Sequence, residues 1–134
     1  MERVLLQNDN YIITHEFEVV SLTIKKVGKE VVIGDFYGDP TSAFISNDES
    51  YCVVGGCGII IYYLKEPFIE FEYNKVSEQW KEVFRNPNDI WWIDNITEGS
   101  STSKFRFYVD ENDDHLHAGI YEIDAFTFKF VKLE

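Results

Sequence analysis

Two cysteines and a histidine pair are the residues most able to do chemistry in this chain. Cys52 and Cys57 lie five positions apart, and His115 and His117 form an H-x-H pair whose side chains share one face if the segment is a strand. Two thiolates and two imidazoles can close a tetrahedral zinc site, although no H-x(3–5)-H spacing follows. Buried, hydrophobe-like cysteines beside a glycine turn and exposed histidines near a hairpin account for the same residues. Covalent catalysis needs a nucleophile beside a base, and Cys57 is the conspicuous choice, with His15, His115 or His117 as partner. Its surroundings, Gly55-Gly56-Cys57-Gly58, lack the spacing of a nucleophile elbow and suit a hairpin or bulge. Asp35 with Asp39, or Asp48 with Glu49, can pair as acid and base, yet with 24 acidic residues such pairs arise by chance. No phosphate-cradling glycine loop with its lysine is present. A metal- or thiol-dependent enzyme centred on Cys52, Cys57, His115 and His117 therefore stands as the alternative reading, and a non-catalytic protein with no cofactor and no resident metal as the main one.

Asp110, Asn112 and Asp114 match the first three ligand positions of a calcium loop, where alternate oxygens converge on one hard cation. The pattern then breaks: His115 stands where Gly is needed and Tyr121 where a bidentate Glu is needed. An acidic, solvated hairpin loop is the expectation. The tryptophans carry more. Trp91 and Trp92 are adjacent, so on a strand they face opposite sides and one of them leaves the core of a one-sided sheet. An exposed Trp near Asp89, Asp94 and Asn95 can anchor a protein partner or stack on a sugar. The competing reading covers both faces, one of them by an element carrying Trp80.

Charge narrows the partners. Twelve basic against 24 acidic residues give a formal charge of -12, which repels phosphates and anionic headgroups. Only three arginines occur, and no basic run interleaves with aromatics, so the footprint of a nucleic-acid binder is missing. No apolar run approaches the roughly 20 residues of a membrane helix. Solubility alone also explains an acidic surface, but if the charge serves a partner, that partner is basic. The N-terminal residues lack a signal-peptide pattern, and two cysteines fit a reducing compartment, so a cytoplasmic location is expected. Leu133-Glu134 matches the dipeptide left by an expression tag and is kept out of the functional reading.

The elements that must position these residues are mostly strands. Hydrophobic residues make up 45% and aromatics 16%, enough for a packed core in one domain over 1–134. Residues 4–6 and 11–27 read as strands, with the apolar parity changing between Val19 and Val20 as at a bulge or a change of sheet. A turn at 27–30 leads to a strand at 31–33, and 34–40 is a loop rich in Gly and Asp. Short strands follow at 43–46 and 51–54, joined by a polar turn at 47–50. The segment 59–64 is apolar on both faces and is expected at the centre of the core. Val76, Trp80, Val83 and Phe84 recur at helical spacing, which predicts one short helix near 75–85, with Ser77 as N-cap and Asn86-Pro87-Asn88 as its stop. Strands return at 90–96, 105–109, 116–123 and 127–133, with a turn at 124–127. The fold class is thus mainly β, an antiparallel sandwich or partly open barrel with one short helix.

Small size, acidity, the Gly-Asp-Phe-Tyr-Gly-Asp-Pro loop at 34–40, the Cys-Val-Val-Gly-Gly-Cys-Gly turn at 52–58, Trp80 and the Trp91-Trp92 pair together resemble the small acidic immunity proteins that bacteria encode beside polymorphic toxins. The resemblance implies a protein that occludes a toxin's active site, and a nuclease toxin would offer a basic surface to match this acidic one. Electrostatic steering would make such association fast and salt-sensitive. The expectation is a binding module that engages a basic protein through Asp35, Asp39, Asp48 and Glu49 together with Trp91 or Trp92. A small-molecule or carbohydrate binder with an aromatic-lined pocket remains a third possibility.

Overall fold

The computed structural model describes residues 2–134. Among the described residues, twelve of fourteen strands build three four-stranded antiparallel sheets, each a meander in chain order. The first holds β1 (Arg3–Gln7), β2 (Tyr11–Glu16), β3 (Val19–Ile24) and β4 (Lys29–Asp35). The second holds β5 (Ser42–Ile45), β6 (Tyr51–Gly56), β7 (Gly58–Tyr63) and β8 (Trp80–Val83). A small hairpin of β9 (Arg85–Asn86) and β10 (Asp89–Ile90) leads to the third sheet, β11 (Asn95–Glu98), β12 (Lys104–Val109), β13 (Gly119–Asp124) and β14 (Phe130–Lys132).

The second sheet is the middle layer, because the two faces of its strands enter different cores. Cys52, Val54, Ile60, Tyr62 and Trp80 pack with Ile13, Val20, Leu22, Val31 and Ile33 of the first sheet. Tyr51, Val53, Ile59 and Ile61 pack with Ile96, Phe105, Phe107, Tyr121 and Ile123 of the third. The alternation along each strand sends neighbours to opposite layers, so β6 and β7 are apolar throughout. The segment 59–64 therefore does lie at the centre of the core. The sheets stay open and do not close into a barrel.

The helix expected near 75–85 is absent, and no helix occurs among the described residues, long and apolar enough to cross a membrane or otherwise. Val76 is exposed, Trp80 faces the first core, and Val83 and Phe84 pack on the second. Positions three apart fall on opposite faces of a strand, and here both faces are apolar, so helical spacing and a two-sided strand look alike. Ser77 Oγ accepts the Gln79 N–H at 3.0 Å, making a local turn into β8 rather than a helix cap. The parity change near Val19 is the β2–β3 hairpin turn at Phe17 and Glu18, with Phe17 at φ 53°. Segment 116–123 is a strand only from Gly119, so His115 and His117 lie in a turn and not on a common strand face. Leu133 and Glu134 extend the last pairing, each N–H donating to Ile120 O.

Candidate functional site

Close backbone approach fixes Trp91 and Trp92. The 91–94 segment runs against the glycine turn joining β6 to β7: Gly58 N–H donates to Trp91 O at 2.8 Å, Ile93 N–H donates to Gly56 O at 2.8 Å, and Cys57 and Trp92 form an antiparallel bridge. Gly58 has φ +77°, and a Cβ there would lie 2.1 Å from Arg85 Cγ and 2.8 Å from Phe84 O, so the turn requires glycine. A Cβ on Gly55 would press on Ile93 and Ile96 at 2.9 Å. The glycines thus serve close packing.

The two tryptophans part company. Trp91 is buried, stacked on Phe84 with ring centroids 4.4 Å apart and on the His117 ring at 4.1 Å. Trp92 remains 40% exposed and meets the exposed Tyr37 edge-on at 6.5 Å. Trp80, expected to help cover this pair, lies in the other core on the far side of the middle sheet.

Acidic residues gather round Trp92. Ligand-capable oxygens of Asp94, Asp110 and Asp113 all lie within 4.8 Å of one another, the one such grouping of His, Cys, Asp or Glu among the described residues. Asp94 Oδ2 accepts the Asp110 N–H at 2.6 Å. Burial, with Asp113 as a hydrogen-bonding and like-charged neighbour, pushes the Asp94 carboxyl up to about 6. Three carboxylates so placed suit a hard cation or the ammonium or guanidinium of a protein partner. They come from β11's approach and the 110–114 turn, so the alternate-ligand pattern of Asp110, Asn112 and Asp114 is not what converges. Asn112 instead donates its N–H to Asp110 Oδ1 at 2.8 Å, and Asp114 accepts the Trp92 N–H at 3.1 Å.

His117 joins two carboxylates: Nε2 is 2.8 Å from Asp89 Oδ1, and Nδ1 is 2.9 Å from Asp114 Oδ2. Asp114 itself is a balance, since burial raises its carboxyl while hydrogen bonds from His117 and Trp92 outweigh it and hold the group low. Both ring nitrogens thus face carboxylate oxygens of the chain itself. His115 is exposed beside Glu111, Cys52 is fully buried in the first core with its thiol pushed up to about 12 by burial, and Cys57 is buried in the glycine turn between β6 and β7. Burial also raises the Cys57 thiol, only partly offset by Arg85. The four residues of the zinc or thiol reading do not come together.

Two adjoining hollows flank Tyr37. One, about 350 Å³, is lined by Tyr37, Asp39, Cys57, Trp92, Asp94 and Asp113 among others. Its neighbour, about 480 Å³, is lined by Glu18, Asp35, Phe36, Tyr37, Cys57, Tyr73, Arg85, Pro87 and Ile90. Asp35, Asp39 and Trp92 of the expected set therefore share one end of the molecule. Asp48 and Glu49 lie beyond the other end of β5, in the turn to β6, where Asp48 Oδ1 binds the Ser46 and Ser50 hydroxyls and Glu49 holds Asn8 and Asn10. Tyr37 and Asp113 were missed from sequence, and Asp94 was read only as a neighbour of the exposed Trp; Tyr37 sat in the Gly-Asp loop at 34–40 as a signal, whereas Asp94 and Asp113 need the fold to meet. No protein-family model matches the chain, and no curated protein matches it.

Proposed function

We propose that the chain is a non-catalytic binding module that engages a basic protein at the Trp92 end. One observation carries the reading: an exposed Trp92–Tyr37 pair stands beside a hollow lined in part by Asp39, Asp94 and Asp113. Aromatic faces and carboxylates together recognise cations, the rings through their quadrupole and the acids through charge-assisted hydrogen bonds. The formal charge of -12 adds long-range attraction for a basic partner. An immunity-type inhibitor that covers the basic active-site surface of a toxin is the form of module that this size and charge suit.

The test is titration with a defined basic probe, an oligo-arginine peptide, at 50 mM and 300 mM salt. Wild-type protein is expected to bind with affinity that falls at least tenfold at the higher salt. Combined Asp39→Asn, Asp94→Asn and Asp113→Asn changes should remove most of that binding, and Asp48→Asn with Glu49→Gln should remove little. Equal loss from both sets would mean that net charge alone attracts the probe and that this end is not a site.

A further inference from the structure

The two hollows beside Tyr37 are one trough with walls of different chemistry. They adjoin, with Tyr37 and Cys57 in both linings. The hollow under Trp92 has Asp39, Asp94 and Asp113 in its lining. Its neighbour is walled by Phe36, Tyr37, Tyr73, Pro87 and Ile90. Glu18, Asp35 and Arg85 also line it; Glu18 Oε2 accepts the Gly38 N–H, and the Arg85 guanidinium donates to Glu82 Oε1 at 2.8 Å, to Cys57 O at 3.0 Å and to Asp35 O at 2.7 Å, and lies 4.7 Å over the Phe36 ring. A satisfied guanidinium flattened on an aromatic ring presents an apolar-compatible surface. Tyr37 and Tyr73 are 70% and 78% exposed, and that aromatic area gains by being covered.

We infer that the basic partner enters this trough as an extended segment, with an Arg or Lys side chain in the hollow under Trp92 and an aromatic side chain beside Tyr73. The inference rests on the binding reading above and adds to it a second, apolar anchor. Side chains two residues apart point to the same face of an extended chain, so anchors at i and i+2 are the spacing to test on either side of Tyr37. Charge complementarity selects the cation for the acidic hollow; burial of exposed aromatic surface selects the second anchor.

Three capped peptides test it by NMR titration of the full chain at 50 mM salt: one with Arg-Ser-Phe, one with Phe replaced by Gly, and one with Arg replaced by Gly. The two-anchor peptide is expected to bind at least fivefold more tightly than either other. Tyr73→Ala should reduce it to the affinity of the cation-only peptide and leave that peptide unchanged, whereas Trp92→Ala should weaken both cation-bearing peptides. Tyr73 is exposed, so its replacement leaves the cores intact, and near-ultraviolet circular dichroism confirms each variant's fold. If the two-anchor peptide binds no better than the cation-only one while Trp92→Ala still weakens both, the trough inference fails and the binding reading survives. If neither cation-bearing peptide perturbs Trp92 or Tyr37, the binding reading itself fails.

Discussion

Acidic residues at the two ends of β5 behave in opposite ways. At the Asp48–Glu49 end, Asp48 Oδ1 accepts from Ser46 Oγ at 2.9 Å, Ser50 N at 3.1 Å and Ser50 Oγ at 2.8 Å, and these donors hold its carboxyl below the ordinary range. Glu49, at φ 56°, spends both oxygens on the amides of Asn8 and Asn10 and so ties the first sheet to the β5–β6 turn. At the Trp92 end, Asp94 faces Asp110 and Asp113, and its carboxyl is pushed up to about 6. An acid satisfied by its own chain's donors is a turn-builder. An acid facing other acids has like charge beside it, and in the binding reading proposed above a partner's cation would meet that charge.

The sharpest way to break that contrast is to dislodge one end alone. Gly58→Ala places a Cβ against Arg85 and the Phe84 backbone at positive φ, where an L side chain is strained. We expect a loss on the order of 3 kcal/mol in denaturant unfolding, from strain and overpacking together. Gly38→Ala, also at positive φ (+82°) but with nothing near its Cβ, is expected to cost about 1 kcal/mol. Equal costs at the two positions would show that contact with the Arg85 segment does not fix the Trp91–Trp92 strap.

Next in size is Asp48→Ala, which strips the β5–β6 turn of its acceptor. The expected cost is about 1 kcal/mol, small because water replaces the donors at this exposed turn. Trp92→Ala should do the reverse, with little change in unfolding midpoint and the loss of oligo-arginine binding. If Asp48→Ala weakened the peptide and left stability unchanged, the two ends would have to exchange roles.

Much of this architecture was legible before the fold. Period-two apolar runs mark most of the strands, and 59–64, apolar on both faces, lies between two cores as its composition demanded. Strand β8 was read as a helix for the same reason that the middle layer exists: Trp80 and Val83 serve different cores, and a strand buried on both sides has no alternation to show. At the site, the opposed Trp91 and Trp92 followed from adjacency, although no regular strand carries them. The acid trio was not readable, because Asp94 precedes β11 while Asp110 and Asp113 follow β12, and only the β11–β12 pairing brings them within 4.8 Å. With 24 acids in the chain, their charge alone could not choose Asp94 over Asp48.

The smallest effect also separates the ends most cleanly, because its sign differs between them. A carboxyl raised from 3.8 to about 6 keeps its proton longer in the folded than in the unfolded chain. The folded state then binds more protons between those values, so the Asp94 contribution is fully present below about 3.8 and is lost as pH rises through about 6. Asp48, held low, contributes stability above the ordinary carboxylate range that is lost as pH falls. Asp94→Asn removes the first dependence and leaves the second. Measured by urea unfolding from pH 4 to pH 7, the variant should gain on the wild type steadily with pH, by under about 1 kcal/mol once solvent screening is allowed for. Oligo-arginine binding to the wild type should strengthen over the same interval, as the trio takes on its full charge. A stability difference that stays flat across pH would mean that Asp94 is already charged throughout, and the two ends of β5 would then differ only in which donors surround them.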